Sequence, residues 1–335
     1  MIFQKIAVLL ALIPILMLSG CKKEPDVPPP PPPDPNFPVS VETEQETITL
    51  GKAPDTLVSV SPAMTEVLLD LGARASLKGV SSYDRISGLA DCGTAQHVDL
   101  EAVRSIRPQL LFTDTPLLSH QLTELYQMDV QVVLFRRPQD LQQVLTRMED
   151  TASLLYGKKD GPEKAAPSMK EWQDAWAILE KAGSLVTQRK TAMLIGGLQI
   201  AATGDTFEGQ LLNMLGFENL AQDGENWTIQ PPEKPEGEEQ TETSLWNPQV
   251  LFYDSRMDEE TIRTSEEYGQ SEAVLNGALY PVDWDVLQMM TLEFPQMCGD
   301  ILKEFYPEQW EQAQPAPEPE PVPEEEAPEA PAEPE

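Results

Sequence analysis

The stretch "TLVSVSPAMTEVLLDLG" (56–72) decides how the chain is read. Its first five residues are β-branched and apolar, the composition of a strand that packs on a pleated, half-buried surface. Ser61 and Pro62 follow. A Ser hydroxyl can satisfy an orphan N–H at a helix start, and Pro has no N–H to lose at the first helical position. Met64, Val67, Leu68 and Leu71 then recur at helical spacing, and Gly72 is placed to end the helix. Ser61 sits at the junction with three candidate roles: a nucleophile on a strand-to-helix turn, a plain helix cap, or a group at the lip of a ligand cleft.

Working outward, the same alternation repeats. Residues 76–80 predict a strand, 99–106 a helix stopped by Pro108, 109–113 a strand, 117–128 a helix and 130–135 a strand. This βαβαβαβ order calls for a parallel sheet with helices on its faces. Residues 140–156 and 168–185 predict two helical runs either side of a polar break, "GKKDGPEKAAP" (157–167). The first pattern then returns. Strands are expected at 190–197, 198–203, 249–254 and 278–282, a helix at 207–216, and a terminal helix at 286–306 broken near Pro295. The chain thus reads as two α/β lobes joined by a helix-rich linker. The expected boundaries are 47–136 for the N-terminal lobe, 137–187 for the linker and 188–310 for the C-terminal lobe.

The two ends are read apart from the fold. Residues 1–20, "MIFQKIAVLLALIPILMLSG", carry Lys5 and then an apolar run of signal-peptide length, short for a membrane span. The run ends in Leu18-Ser19-Gly20-Cys21, which resembles the lipobox of bacterial lipoproteins. That resemblance implies a lipidated Cys21 and a chain exported and held on the outer face of the cytoplasmic membrane. Residues 21–46 begin with a proline-rich tether, a semi-rigid spacer. Residues 311–335 form an acidic, proline-rich tail with little apolar side chain to bury, and are expected to be disordered. The formal net charge is −33, and without the eight Glu from Pro315 onward it stays near −25. Such a charge excludes nucleic acid as a partner.

Enzyme chemistry finds no foothold. No Gly flanks Ser61, and Pro62 has no N–H to offer an oxyanion, so a strained nucleophile elbow is not supported. The two histidines, His97 and His120, have no zinc-type spacing. "GGLQIAATG" (196–204) lacks the Lys-Ser/Thr of a phosphate loop. Beyond Cys21 the cysteines are Cys92 and Cys298, with no metal-type spacing; a single bridge between them stays open in an exported protein. No intrinsic cofactor, metal site or catalytic residue is expected.

Taken together, "LVSVSPAMTEVLLDLG", "LKGVSSYDR" and "VDLEAVRSIRPQLLFT" resemble the N-terminal lobe of ABC-importer solute-binding proteins of the cobalamin and ferric-siderophore class. "AATGDTFEGQLLNMLGFENL" and "LWNPQVLFYD" resemble its C-terminal lobe. The resemblance covers about 56–306. It implies two lobes with mainly parallel sheets, joined by a long linker helix, with the ligand held between them. It makes Ser61 the cap of a helix facing the cleft and Tyr83 a cleft aromatic. Trp227 and Trp284 are candidates for the opposite wall. It implies an ABC permease and its ATPase as partners, met through Glu101 on one lobe and Glu242 on the other. An acidic insertion beside Glu242 departs from the family pattern. The ligands implied are a corrinoid, haem or a ferric siderophore, with the "GVSSYD" context of Tyr83 favouring a corrinoid. An anionic siderophore would call on Arg85, Arg136, Arg137 or Arg256. The competing reading is a partner-binding or sensor lipoprotein on the same fold.

Overall fold

The structure, a computed structural model, describes residues 34–229 and 244–315. The expected signal peptide with Cys21, the first half of the expected tether, Glu242 and most of the expected acidic tail lie outside the described residues.

An antiparallel hairpin of β1 (Val39–Glu42) and β2 (Thr47–Leu50) comes first. Val39, Val41 and Ile48 point inward from it into the N-terminal core. The lobe therefore starts before residue 47, inside the expected tether: the hairpin's short alternation is enough to bury one face. Then come β3 (Leu57–Ser59), α1 (Pro62–Asp70), β4 (Leu77–Val80), β5 (Ala90–Asp91), α2 (Leu100–Ile106), β6 (Leu110–Thr113), α3 (Ser119–Gln127) and β7 (Gln131–Leu134). The sheet order is β5-β4-β3-β6-β7, all parallel. Both faces are covered, which is why strands such as "LLFT" are buried throughout and mostly apolar. Successive residues feed different cores: Leu110 and Phe112 join α1 and the hairpin, whereas Leu111 joins Val103 and Leu125. The chain leaves β3 towards β4 and returns on its other side at β6. The carboxyl ends of β3 and β6 thus flank a topological switch point, where open α/β sheets form crevices.

The linker region is α4 (Leu141–Ser184), interrupted at Gly157 (φ 88°, ψ 175°). That backbone is open only to Gly. A Cβ on Gly161 would lie 2.7 Å from the Ser153 Cα and N atoms. In a straight helix those residues would be about 12 Å apart, so the chain reverses at Gly157. Residues 141–156 and 158–184 pack as an antiparallel helical pair. The expected break at 157–167 is therefore a single residue, and the helix resumes through Pro162 and Pro167. Each proline costs a helix interior about 3 kcal/mol. Burial of Trp172 and Trp176 further along, stacked on Phe294 and Phe207, holds the helix in spite of it.

The C-terminal lobe comprises β8 (Thr191–Gly197), β9 (Ile200–Ala201), α5 (Phe207–Met214), β10 (Glu218–Asn219), β11 (Val250–Asp254), α6 (Glu259–Arg263), α7 (Glu272–Leu275) and β12 (Leu279–Val282), then α8 (Trp284–Met289), α9 (Glu293–Phe305) and α10 (Pro307–Ala313). Its order is β10-β8-β11-β12, parallel, with β9 folded back on β8. The expected strand at 198–203 is thus a two-residue hairpin arm. The expected terminal helix breaks at Met290 (φ 53°), not at Pro295. Pro295 lies in the first turn of α9, where a missing N–H costs no helix bond. Cys92 and Cys298 are free and buried in the cores of different lobes, so no bridge ties the lobes. The fold class is α/β, two lobes with mainly parallel sheets joined by a long helical linker.

Candidate functional site

The Ser61 hydroxyl accepts from the Met64 N–H at 3.2 Å, and the residue is buried. It is the cap of α1 and is not at the cleft surface. Pro62 and Glu66, one turn on, are what α1 presents to the cleft. Thr65 Oγ1 lies 3.0 Å from the Ser61 carbonyl and 2.9 Å from the Asp84 carboxylate. The same Asp84 oxygen accepts from the Ser81 N–H at 3.0 Å, and the Asp84 N–H donates back to the Ser81 carbonyl. The turn after β4 is therefore fastened to the start of α1, and Tyr83 projects from it with 74% of its surface exposed. Burial lifts the Asp84 carboxyl above its usual range, against the lowering pull of those hydrogen bonds.

Opposite stands α8, which leaves the carboxyl end of β12 directly. Asp283 caps it, accepting from the Asp285 and Val286 N–H groups. Its far end is gripped from behind. Arg137 donates to the Leu287 carbonyl at 3.0 Å and Arg147 to the Met290 carbonyl at 3.2 Å, meeting carbonyls that a helix end leaves unpaired. Arg137 also pairs with the buried Glu208 at 2.7 Å and lies over the Phe207 ring. Burial pulls the Arg147 guanidinium down to about 10, opposed by Asp114 and helped by Arg137.

Between these walls lies a cleft of about 500 Å³. Pro62, Glu66, Tyr83 and Arg85 line it from the N-terminal lobe, and Asp285, Gln288 and Met289 from the other. A larger hollow of about 810 Å³, beside Trp246, is lined by the C-terminal lobe alone; the smaller one lies between the lobes.

Tyr83 lines the cleft. Trp227 and Trp284 meet each other edge to face, 5.5 Å between centroids, and both are half-buried. Neither lines the cleft: the expected tryptophan wall is instead Asp285, Gln288 and Met289, and Trp284 packs against the β8 backbone at Gly196. Glu101 is exposed in the first turn of α2, paired with Arg104, which also reaches Glu124 at 3.3 Å. Glu242 lies outside the described residues. Of the four arginines, Arg136 pairs with Glu44, Arg137 with Glu208, and Arg256 with Asp254 and Asp285. Only Arg85 lines the cleft without an ion pair among the described residues. His97 and His120 are exposed. Among the described residues no group of three or more His, Cys, Asp or Glu is placed to hold a metal. Reasoning from sequence missed Glu66, Asp84, Asp285, Gln288 and Met289. For Asp84 the available signal is its place in the turn after β4, and for Glu66 its place one turn into α1, the helix that follows β3.

The sequence model of the family described as periplasmic binding protein matches residues 57–285. A relative from Bacillus subtilis (strain 168), the uncharacterized ABC transporter substrate-binding lipoprotein YvrC, is 23% identical over 317 residues, 89% of this chain and 95% of that protein. The periplasmic haem-binding protein HutB of Vibrio cholerae superposes with a TM-score of 0.61 at 18% identity, covering 75% of this chain and 99% of that one. The periplasmic vitamin B12-binding protein BtuF of Vibrio cholerae gives 0.55 at 16% identity, with 78% and 98% covered. The structural likeness carries the two-lobed fold, and the match over most of the chain carries the family. The chain belongs to the periplasmic binding proteins, a family of solute carriers and not of enzymes.

Proposed function

We propose that this protein is the receptor of an ABC importer, anchored through a lipidated Cys21 on the outer face of the cytoplasmic membrane. It captures a bulky metal chelate between its lobes and hands it to a permease driven by an ATPase. A corrinoid is favoured over haem or a ferric siderophore. The observation that carries this reading is the cleft to which both lobes contribute, with the exposed Tyr83 ring on one side. A large exposed aromatic in a cavity is contact area held ready for a flat ligand, with little rotamer freedom to lose. Ser61 acts beneath the site as the cap of α1, and Trp227 and Trp284 back the wall that α8 forms. Glu101 is the permease contact on the N-terminal lobe; its pair with Arg104 is exposed and weak enough to exchange. Glu242 is the proposed counterpart.

The test is titration with cyanocobalamin, cobinamide, haem and a panel of ferric siderophores, followed by tryptophan fluorescence and calorimetry. Saturable binding of one class at micromolar concentration or below, lost in Tyr83→Ala, is the expected result. No binding across the panel overturns the uptake reading of these ligands.

A further inference from the structure

The carboxylates around the cleft do not make it a site; its place between the lobes and the exposed Tyr83 do that. They decide the sign of what it takes. On the N-terminal side stand Glu66 and Asp84, countered by Arg85. On the C-terminal side Asp285 lines the cleft, with Asp283 capping the same helix. The nearby cation there, Arg256, is already bound at 2.7 Å to Asp254 and only reaches Asp285 at 3.5 Å. Glu293, the first residue of α9, adds its field to Glu66 from the opposite lobe. Each wall is thus net negative, and drawing the walls together brings like charges together.

Resting on the receptor reading above, we infer that the cleft selects metal chelates of net positive charge and rejects anionic ones, because both lobes face it with carboxylates against one unpaired arginine. An anionic chelate would meet repulsion from both walls with Arg85 alone to offset it. A cationic one neutralises both walls, and the Tyr83 ring offers it a face for cation–π contact. Burial, then Asp70, Asp84 and Glu293, push the Glu66 carboxyl above its usual range, and a bound cation would relieve that field. Arginine-based capture of an anionic siderophore is left to Arg85 alone, because Arg136 and Arg137 are paired away from the cleft and Arg256 is held by Asp254 and Asp285.

The experiment holds the metal centre fixed and varies charge. One series is a ferric trihydroxamate whose terminal amine is free, N-acetylated or N-succinylated, giving cationic, neutral and anionic members. A second compares aquacobinamide, a cation, with the same macrocycle after hydrolysis of its amides to carboxylates. Haem, anionic through its propionates, completes the set. In whichever series binds, the cationic member is expected to be held at least ~10-fold tighter than the anionic one, with the ratio narrowing as salt is raised. The ratio should fall towards one in the Glu66→Gln, Asp285→Asn double variant while the neutral member still binds. Equal or tighter binding of the anionic member, a ratio unmoved in the double variant, or binding of haem alone overturns this inference and leaves the receptor reading standing. Binding of none of these probes overturns the receptor reading and the inference with it.

Discussion

The Ser61 hydroxyl is occupied by its own helix, so its neighbours carry the site. The Ser-Pro-x-x-Thr-Glu run places Thr65 over Asp84 and sends Glu66 into the cleft. Glu66 is largely exposed, yet its carboxyl titrates above the usual range, first from burial and then from Asp70, Asp84 and Glu293. A carboxyl whose folded pKa lies above its unfolded value holds its proton more tightly when folded. Its penalty is absent below the unfolded pKa and grows as pH rises through the folded one. Glu66→Gln is therefore expected to raise the unfolding midpoint at neutral pH by a small margin, under ~1 kcal/mol after solvent screening. The gain should vanish as pH falls through the carboxylate range. Thermal melts of both proteins across that range check it, and a gain that persists in acid would show that charge is not the cause. The cap was legible in sequence because a Ser-Pro junction marks it, whereas Tyr83 came from the family resemblance and not from local grammar. Glu66, Asp84 and Asp285 were not. The chain holds 56 acidic residues, and which of them converge is fixed only when two lobes fold against each other.

At the scale of the element, α4 carries the clearest gap between pattern and structure. The periodicity located both helical runs, and composition flagged the break between them. It could not tell a reversal at one residue from an extended loop, because Pro162 and Pro167 argued for irregular chain and the aromatic packing that overrides them is tertiary. The longer parallel strands were easier, since they are largely apolar runs of strand length, whereas the two-residue β5 and β10, "AD" and "EN", carry no such run and were not expected. The hairpin of β1 and β2 was lost in the proline-rich text before it. Gly161 tests the reversal. An added Cβ would meet Ser153 backbone at 2.7 Å and the Ala152 carbonyl at 2.8 Å, atoms that move only if the two helices part. Gly161→Ala should cost about 1–3 kcal/mol from overpacking, against the gain of about 1 kcal/mol that Ala brings to a free helix. Gly51→Ala, where nothing lies within 4 Å, is the control and should be neutral or slightly stabilising. Urea unfolding of both decides the matter: a stabilised Gly161→Ala would mean the helices do not pack as a pair.

For the molecule as a whole, the question is what keeps the C-terminal wall of the cleft in register with the rest. The arginine pair from the linker region answers it. Arg137 leaves the N-terminal lobe just after β7, pairs with Glu208 at the start of α5 and holds the Leu287 carbonyl of α8. One guanidinium thus joins three parts of the fold beside the cleft. Glu208 is almost wholly buried, so its charge depends on Arg137 for compensation. Glu208→Ala leaves that arginine largely buried without its carboxylate, a change that costs about 3–5 kcal/mol. Adding Arg137→Met should recover much of the loss, because an apolar side chain of similar length needs no partner there. Stability and cleft geometry then separate. The double variant regains its unfolding midpoint but no longer grips Leu287, so ligand affinity should stay below that of the parent protein. Recovery of both would confine Arg137 to a role in folding. Recovery of stability alone would make it the strut that sets the distance between the two walls.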